Sequence, residues 1–132
     1  MRDLHNNIDA APALTPRNVG ANGTISGDSV DLRGYNSVEF AIAAGVITDG
    51  THAVNVQESD DGTTWTNAPA SAILDANPSF VATDDNVVKQ VGYVGSKRFC
   101  RIQLVSSGVT TGGFFGATAL KGRERHTGGQ AV

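Results

Sequence analysis

Side-chain chemistry needs acids, bases or nucleophiles at fixed spacing, and few residues of this sequence qualify. The three histidines, His5, His52 and His126, are scattered. None has the pair spacing of a zinc site, and the single Cys100 adds no cluster. Cys100 lacks a partner for an internal disulfide and sits among apolar residues, so it reads as a buried, inert thiol. Asp60-Asp61-Gly62 and Asp84-Asp85-Asn86 are the acid clusters that calcium would want, yet neither has EF-hand spacing. Their ordinary reading is turn chemistry, since Asp and Asn bond their own backbone at chain reversals. Glu39 and Glu58 fall on predicted strands, with nothing to set them across a sugar cleft. There is no Gly-x-Ser-x-Gly elbow, and Thr110-Thr111-Gly112-Gly113 lacks the Lys-Ser/Thr of a phosphate loop. No catalytic signature, cofactor or metal is implied. The chain does not read as an enzyme.

Two further features bear on binding. Trp65, the only tryptophan, reads as a core anchor rather than a sugar platform, because a carbohydrate module would show several exposed aromatics. The stretch Lys121-Gly122-Arg123-Glu124-Arg125-His126 is basic but has no interleaved aromatics, and the chain's net charge is −3, so nucleic acid is not an expected partner. Charge is also divided along the chain. Residues 34–88 hold eight acids and no Lys or Arg, whereas residues 89–132 hold seven bases against Glu124 alone. Should that division survive folding, opposed charged surfaces would favour head-to-tail self-association or a charged partner.

The elements that must position these residues are strands. A chain of 132 residues makes one domain able to bury its own core. Sixteen glycines, with many Val, Thr and Ser, favour strands joined by turns. Val54-Asn55-Val56-Gln57-Glu58-Ser59 reads as a strand, Asp61-Gly62 as the positive-φ pair of a tight hairpin turn, and Thr63 to Thr66 as a return strand. Ser37 to Ala44 places Val38, Phe40 and Ile42 on one face with Glu39 opposite. Val91 and Tyr93 alternate in another strand, and Arg98 to Val105 turns Cys100, Ile102 and Leu104 inward and Arg101 and Gln103 outward. Phe114 to Leu120 closes the series, with Gly116 as a bulge, and shorter strands are read over 22–27 and 30–35. Residues 68–74 read as a short helix or a connection, and Pro78 argues against a central strand in the polar stretch 75–86.

Residues 1–20, with Pro12 and Pro16, read as an extended N-terminal arm, 21–120 as a β-sandwich domain and 121–132 as a basic C-terminal tail. The expected fold is all-β: a β-sandwich or jelly-roll-like barrel of about seven or eight antiparallel strands. No apolar h-region begins the chain and no apolar run approaches the ~20 residues of a membrane span, so a soluble chain without a membrane partner is expected.

Several motifs, in order, resemble a family of small proteins encoded in the head-gene region of tailed bacteriophages and prophages. They are Val30-Asp31-Leu32-Arg33-Gly34-Tyr35, Ile47-Thr48-Asp49-Gly50-Thr51, and Gln57-Glu58-Ser59-Asp60-Asp61-Gly62-Thr63-Thr64-Trp65-Thr66. Val91-Gly92-Tyr93-Val94-Gly95-Ser96-Lys97-Arg98-Phe99 and the closing Arg125-His126 complete the set, which covers most of residues 30–126. The resemblance implies a virion structural protein, a capsid decoration (cement) or minor capsid protein. Such a protein is made in the host cytoplasm and binds the major capsid protein lattice on the capsid exterior. It is β-rich and a homo-oligomer, with a trimer favoured.

The resemblance carries over no functional residue. From the residues themselves, capsid or inter-subunit contacts are placed on Leu4, His5 and Ile8 of the arm, on Arg98 and Arg101, and on Arg123 and Arg125 of the tail. Removing residues 1–15 is then expected to weaken attachment and leave the β-domain folded. Two alternatives stay open: a tail or head–tail connector component, and a carbohydrate- or host-surface-binding module.

Overall fold

A computed structural model describes residues 5–123. Period-two alternation builds its long strands. Val38, Phe40 and Ile42 form the buried side of β4 (Tyr35–Ile47). Val54 and Val56 do the same for β5 (Thr51–Ser59), and Cys100, Ile102 and Leu104 for β10 (Phe99–Ser107). Val91 and Tyr93 are the inner side of β9 (Val88–Tyr93), and Phe115, Ala117 and Ala119 that of β11 (Gly113–Arg123). The remaining strands are β1 (Ile8–Val19), β2 (Gly23–Ser26), β3 (Val30–Asp31), β6 (Thr66–Asn67), β7 (Ile73–Leu74) and β8 (Ser79–Phe80). Short 3-10 turns cover His5–Asn7, Ala70–Ala72 and Ala82–Asp84.

These strands form two antiparallel sheets. One has five strands in the order β1-β11-β4-β9-β7. The other follows β2-β10-β5-β6, with β3 also paired to β10 and β8 to β5. Their inner faces close on a single core, which makes the all-β sandwich. Burying Phe40, Ile42 or Leu104 in it contributes about 1.5–3 kcal/mol each. Tyr93 ties the layers together, its hydroxyl donating from β9 to Glu58 Oε1 of β5 at 2.7 Å. Burial first, and that bond second, push the phenol above its ordinary pKa.

Several local expectations are corrected. Residues 8–19 are not a detached arm: β1 pairs along β11, and its Ala13, Leu14 and Val19 enter the core. Pro12 and Pro16 are tolerated because β1 is the sheet's edge strand, where a missing N–H breaks no ladder on the open side. The register shifts between Pro12 and Leu14 and again between Leu14 and Arg17. Lys121 to Arg123 continue β11 instead of starting the tail. Gly116 is not a bulge, since it pairs in register with Ala43; its missing side chain makes room for Pro16.

The hairpin turn also differs from a two-residue Asp-Gly turn. Gly62 has φ +77°, but Asp61 does not have a positive φ. The chain instead makes a wider loop built on two side chains. Ser59 Oγ accepts the N–H groups of Asp61 (3.2 Å) and Gly62 (2.9 Å). Asp61 Oδ1 accepts those of Thr63 (2.8 Å) and Thr64 (3.0 Å).

Candidate functional site

The residues read as contacts from the sequence do not converge. His5 is exposed in the first 3-10 turn, and half-buried Ile8 pairs with Gly122. Leu4 and Arg125 lie outside the described residues, as does the side chain of Arg123. Arg98 is committed to Asp31, donating from Nε and Nη2 at 3.0 and 2.9 Å. That guanidinium holds the Asp31 carboxyl down at about 2. Lys97 likewise pairs with Asp60 at 2.9 Å, and Lys89 with Asp84 at 3.4 Å. Among the described residues, folding therefore pairs bases of the second segment with acids of the first.

The acid clusters serve the backbone. Asp84 accepts the Val81 N–H, Asp85 accepts that of Ile47, and Asp61 holds its own turn. Among the described residues no group of three His, Cys, Asp or Glu could hold a metal ion. His52 is fully buried; Nδ1 meets Ser106 Oγ at 2.8 Å and Nε2 meets the Asp49 carbonyl at 3.1 Å. Its partners are structural ones. What remains exposed is two sheet faces of different character.

The outer face of the six-stranded sheet is polar. Alternation turns Asn55 and Gln57 of β5 and Arg101 and Gln103 of β10 outward, and the register sets Gln57 beside Arg101 and Asn55 beside Gln103. Arg101 Nε donates to Gln57 Oε1 at 3.0 Å. Asn67 Oδ1, one strand further, accepts from Gln57 at 3.1 Å and Asn55 at 2.8 Å. On the opposite side Gln103 donates to Ser26 Oγ of β2 at 3.1 Å. Trp65 belongs to this face and not to the core. It is half-buried, and the Arg101 guanidinium lies over its ring, 4.3 Å from the centroid. The reason is register: Thr66 pairs with inward-facing Glu58, so the residue before it points outward.

The outer face of the five-stranded sheet carries large exposed apolar residues among polar ones, with Gln90 and Thr118 flanking Ala41. Val46, Leu74, Val88 and Phe114 are each between 53% and 59% exposed, well above what a core-forming residue shows. The register places Val88 beside Ala43 and Ala43 beside Gly116, while Leu74 lies beside Gly92. Small residues thus leave the large ones standing proud of a flat surface. Glu39 is the carboxylate among them, and desolvation first, with nearby Asp75 second, raises its pKa. A signal for this face was present in Ala41-Ile42-Ala43-Ala44, which is apolar on both sides of the strand.

Fold and surfaces together define a two-layer antiparallel β-sandwich with one polar outer face and one that exposes large apolar side chains. No family model matches the chain, and no curated protein matches it by sequence. Among solved structures it is similar to the PBSX exported protein XepA, with a TM-score of 0.65 and 18% identity. That match covers 100% of this chain and 42% of XepA, so the chain spans less than half of the protein it matches. The likeness shows the fold.

Two looser similarities assign nothing further. One is to infectious bursal disease virus, Gx strain (TM-score 0.47, 11% identity, 94% of this chain and 34% of the other). The second is to the CBM22-1–GH10 modules of Clostridium thermocellum xylanase 10B complexed with xylohexaose (TM-score 0.39, 16% identity, 78% and 19%).

Proposed function

We propose that this chain is a structural protein of a phage particle, attached to the outside of the capsid as a decoration or minor capsid protein. The carrying observation is the outer face of the five-stranded sheet, where Val46, Val88 and Phe114 face outward. Large apolar side chains exposed together near one end of a sheet face are what docking surfaces use. The motif resemblance to phage head-region proteins supports the same reading, as does a fold shared with the PBSX exported protein XepA. On this reading the role is non-enzymatic, and the protein adds stability to a shell by binding the assembled lattice and not its free subunits. An oligomer, with a trimer favoured, would gain further by engaging neighbouring capsomers together.

The test is to mix the purified protein with undecorated shells and to count copies on particles by mass spectrometry. Copies in the hundreds per particle fit a shell protein; six or twelve would place the chain at a head–tail connector and refute the capsid assignment. Phe114→Lys together with Val88→Lys should abolish shell binding without unfolding the domain, since both side chains are more than half exposed.

A further inference from the structure

We propose that the outer face of the six-stranded sheet is a binding surface for a neutral polysaccharide, with Trp65, Arg101, Gln57, Asn67, Asn55 and Gln103 as its contact residues. The proposal stands apart from the capsid role, which uses the opposite sheet. Three features of the face carry it.

The first is its chemistry. The outward side chains of β5 and β10 at its centre are amides and one guanidinium, flanked by Ala53 and Val105 on one side and Phe99 on the other, with no carboxylate. A protein-docking patch wants an apolar centre, and the centre of this face is polar. A nucleic-acid surface wants several cations, and Arg101 is the only one in the amide row. Sugar hydroxyls, each a donor and an acceptor, are what a row of primary amides complements.

The second feature is unused hydrogen-bonding capacity held in place. The bonds from Arg101 to Gln57 and from Gln57 and Asn55 to Asn67 fix the planes of these groups. They engage one N–H each of Arg101, Gln57 and Asn55, leaving the other donors of those groups without a protein partner among the described residues. The Asn67 amide N–H groups and Gln103 Oε1 are in the same position. Side chains locked by one another lose little entropy when a ligand arrives.

The third is the aromatic end-stop. Trp65, the residue before β6, is half-buried with the Arg101 guanidinium over its ring, where an apolar ring meets polar groups. From Ser26 on β2 through Gln103 and Asn55 to Asn67 on β6 the row crosses three inter-strand steps of about 4.8 Å each. That is the reach of a short oligosaccharide laid across the strands.

The experiment is affinity electrophoresis of the whole chain through gels cast with single polymers: β-glucan, xylan, mannan and soluble chitin. Oligosaccharides of whichever polymer retards it are then titrated calorimetrically. The expected result is retardation by at least one polymer, and affinity about tenfold or more weaker in Trp65→Ala and in Asn67→Ala. Phe114→Lys, on the opposite sheet, should bind as the parent does. Asn67 is exposed, so its variant decides the matter even where Trp65→Ala fails to fold. Absence of retardation by all four polymers, or binding unchanged in Asn67→Ala, overturns the proposal. So does loss of shell attachment in Asn67→Ala, which would give the face to a protein partner.

Discussion

The most tightly specified corner of the molecule is made by residues that also carry its acid sensitivity. Asp49, in the β4–β5 turn, accepts the N–H groups of Thr110, Thr111 and Gly112 with its carboxylate, and those bonds lower its pKa. Gly112 sits there at φ +91°, and a β-carbon on it would overlap the carbonyl oxygen of Val19. Gly112→Ala should therefore destabilise the fold by about 2–4 kcal/mol, read from denaturant midpoints. For Asp49, as for Asp31, Asp61 and Asp84, the folded-state pKa lies below the unfolded one. Their contribution is present above the ordinary Asp value of 3.8 and is lost as pH falls, for Asp31 down to about 2. Melting temperature should drop across that window, and Asp49→Asn should flatten the drop. Cys100 behaves in the opposite sense, since burial pushes its thiol up to about 12. Buried and protonated at ordinary pH, it should be labelled by a thiol reagent only after denaturant is added. Labelling of the folded chain would contradict its place in the core.

At the scale of elements, the strand whose sequence looks least like one carries an unexpected share of the packing. β1 closes the edge of the five-stranded sheet and sends Ala13, Leu14 and Val19 into the core. Removing residues 1–15 should thus cost several kcal/mol by emptying the Leu14 site and exposing β11. The truncated chain should show a lower melting temperature and a tendency to aggregate, instead of an intact domain with a missing arm. The difference between legible and hidden elements is physical. β4 and β10 alternate cleanly because one side faces the core and the other water, so period alone finds them. β1 breaks its own period at two prolines and shifts register at both, which erases that signal. Outward placement of Gln57 and Arg101 was readable one strand at a time, but their hydrogen bond depends on pairing β5 with β10, which no local pattern encodes. Size ranks Trp65 as core material; its outward direction follows from the register of a two-residue strand set by a loop wider than Asp-Gly alone implies.

At the scale of the whole molecule, cross-segment pairing decides what kind of contact the protein can make. Lys97 with Asp60 and Arg98 with Asp31 are exposed ion pairs, each worth little to stability and each cancelling charge locally. Association driven by two oppositely charged halves would weaken steeply with salt. Association through Val46, Leu74, Val88 and Phe114 has no such dependence, because burial of apolar area is not screened. The proposed attachment to shells should therefore hold, to within about threefold in apparent Kd, from about 0.05 to 0.5 M ionic strength. Val88→Lys, which places a charge among the exposed apolar side chains, should weaken it by about tenfold or more, the equivalent of leaving one large side chain in water. Sedimentation of shells with bound protein measures both. A steep loss of occupancy with salt, together with a neutral effect of Val88→Lys, would move the contact away from the five-stranded sheet and onto the charged loops at the end of the sandwich.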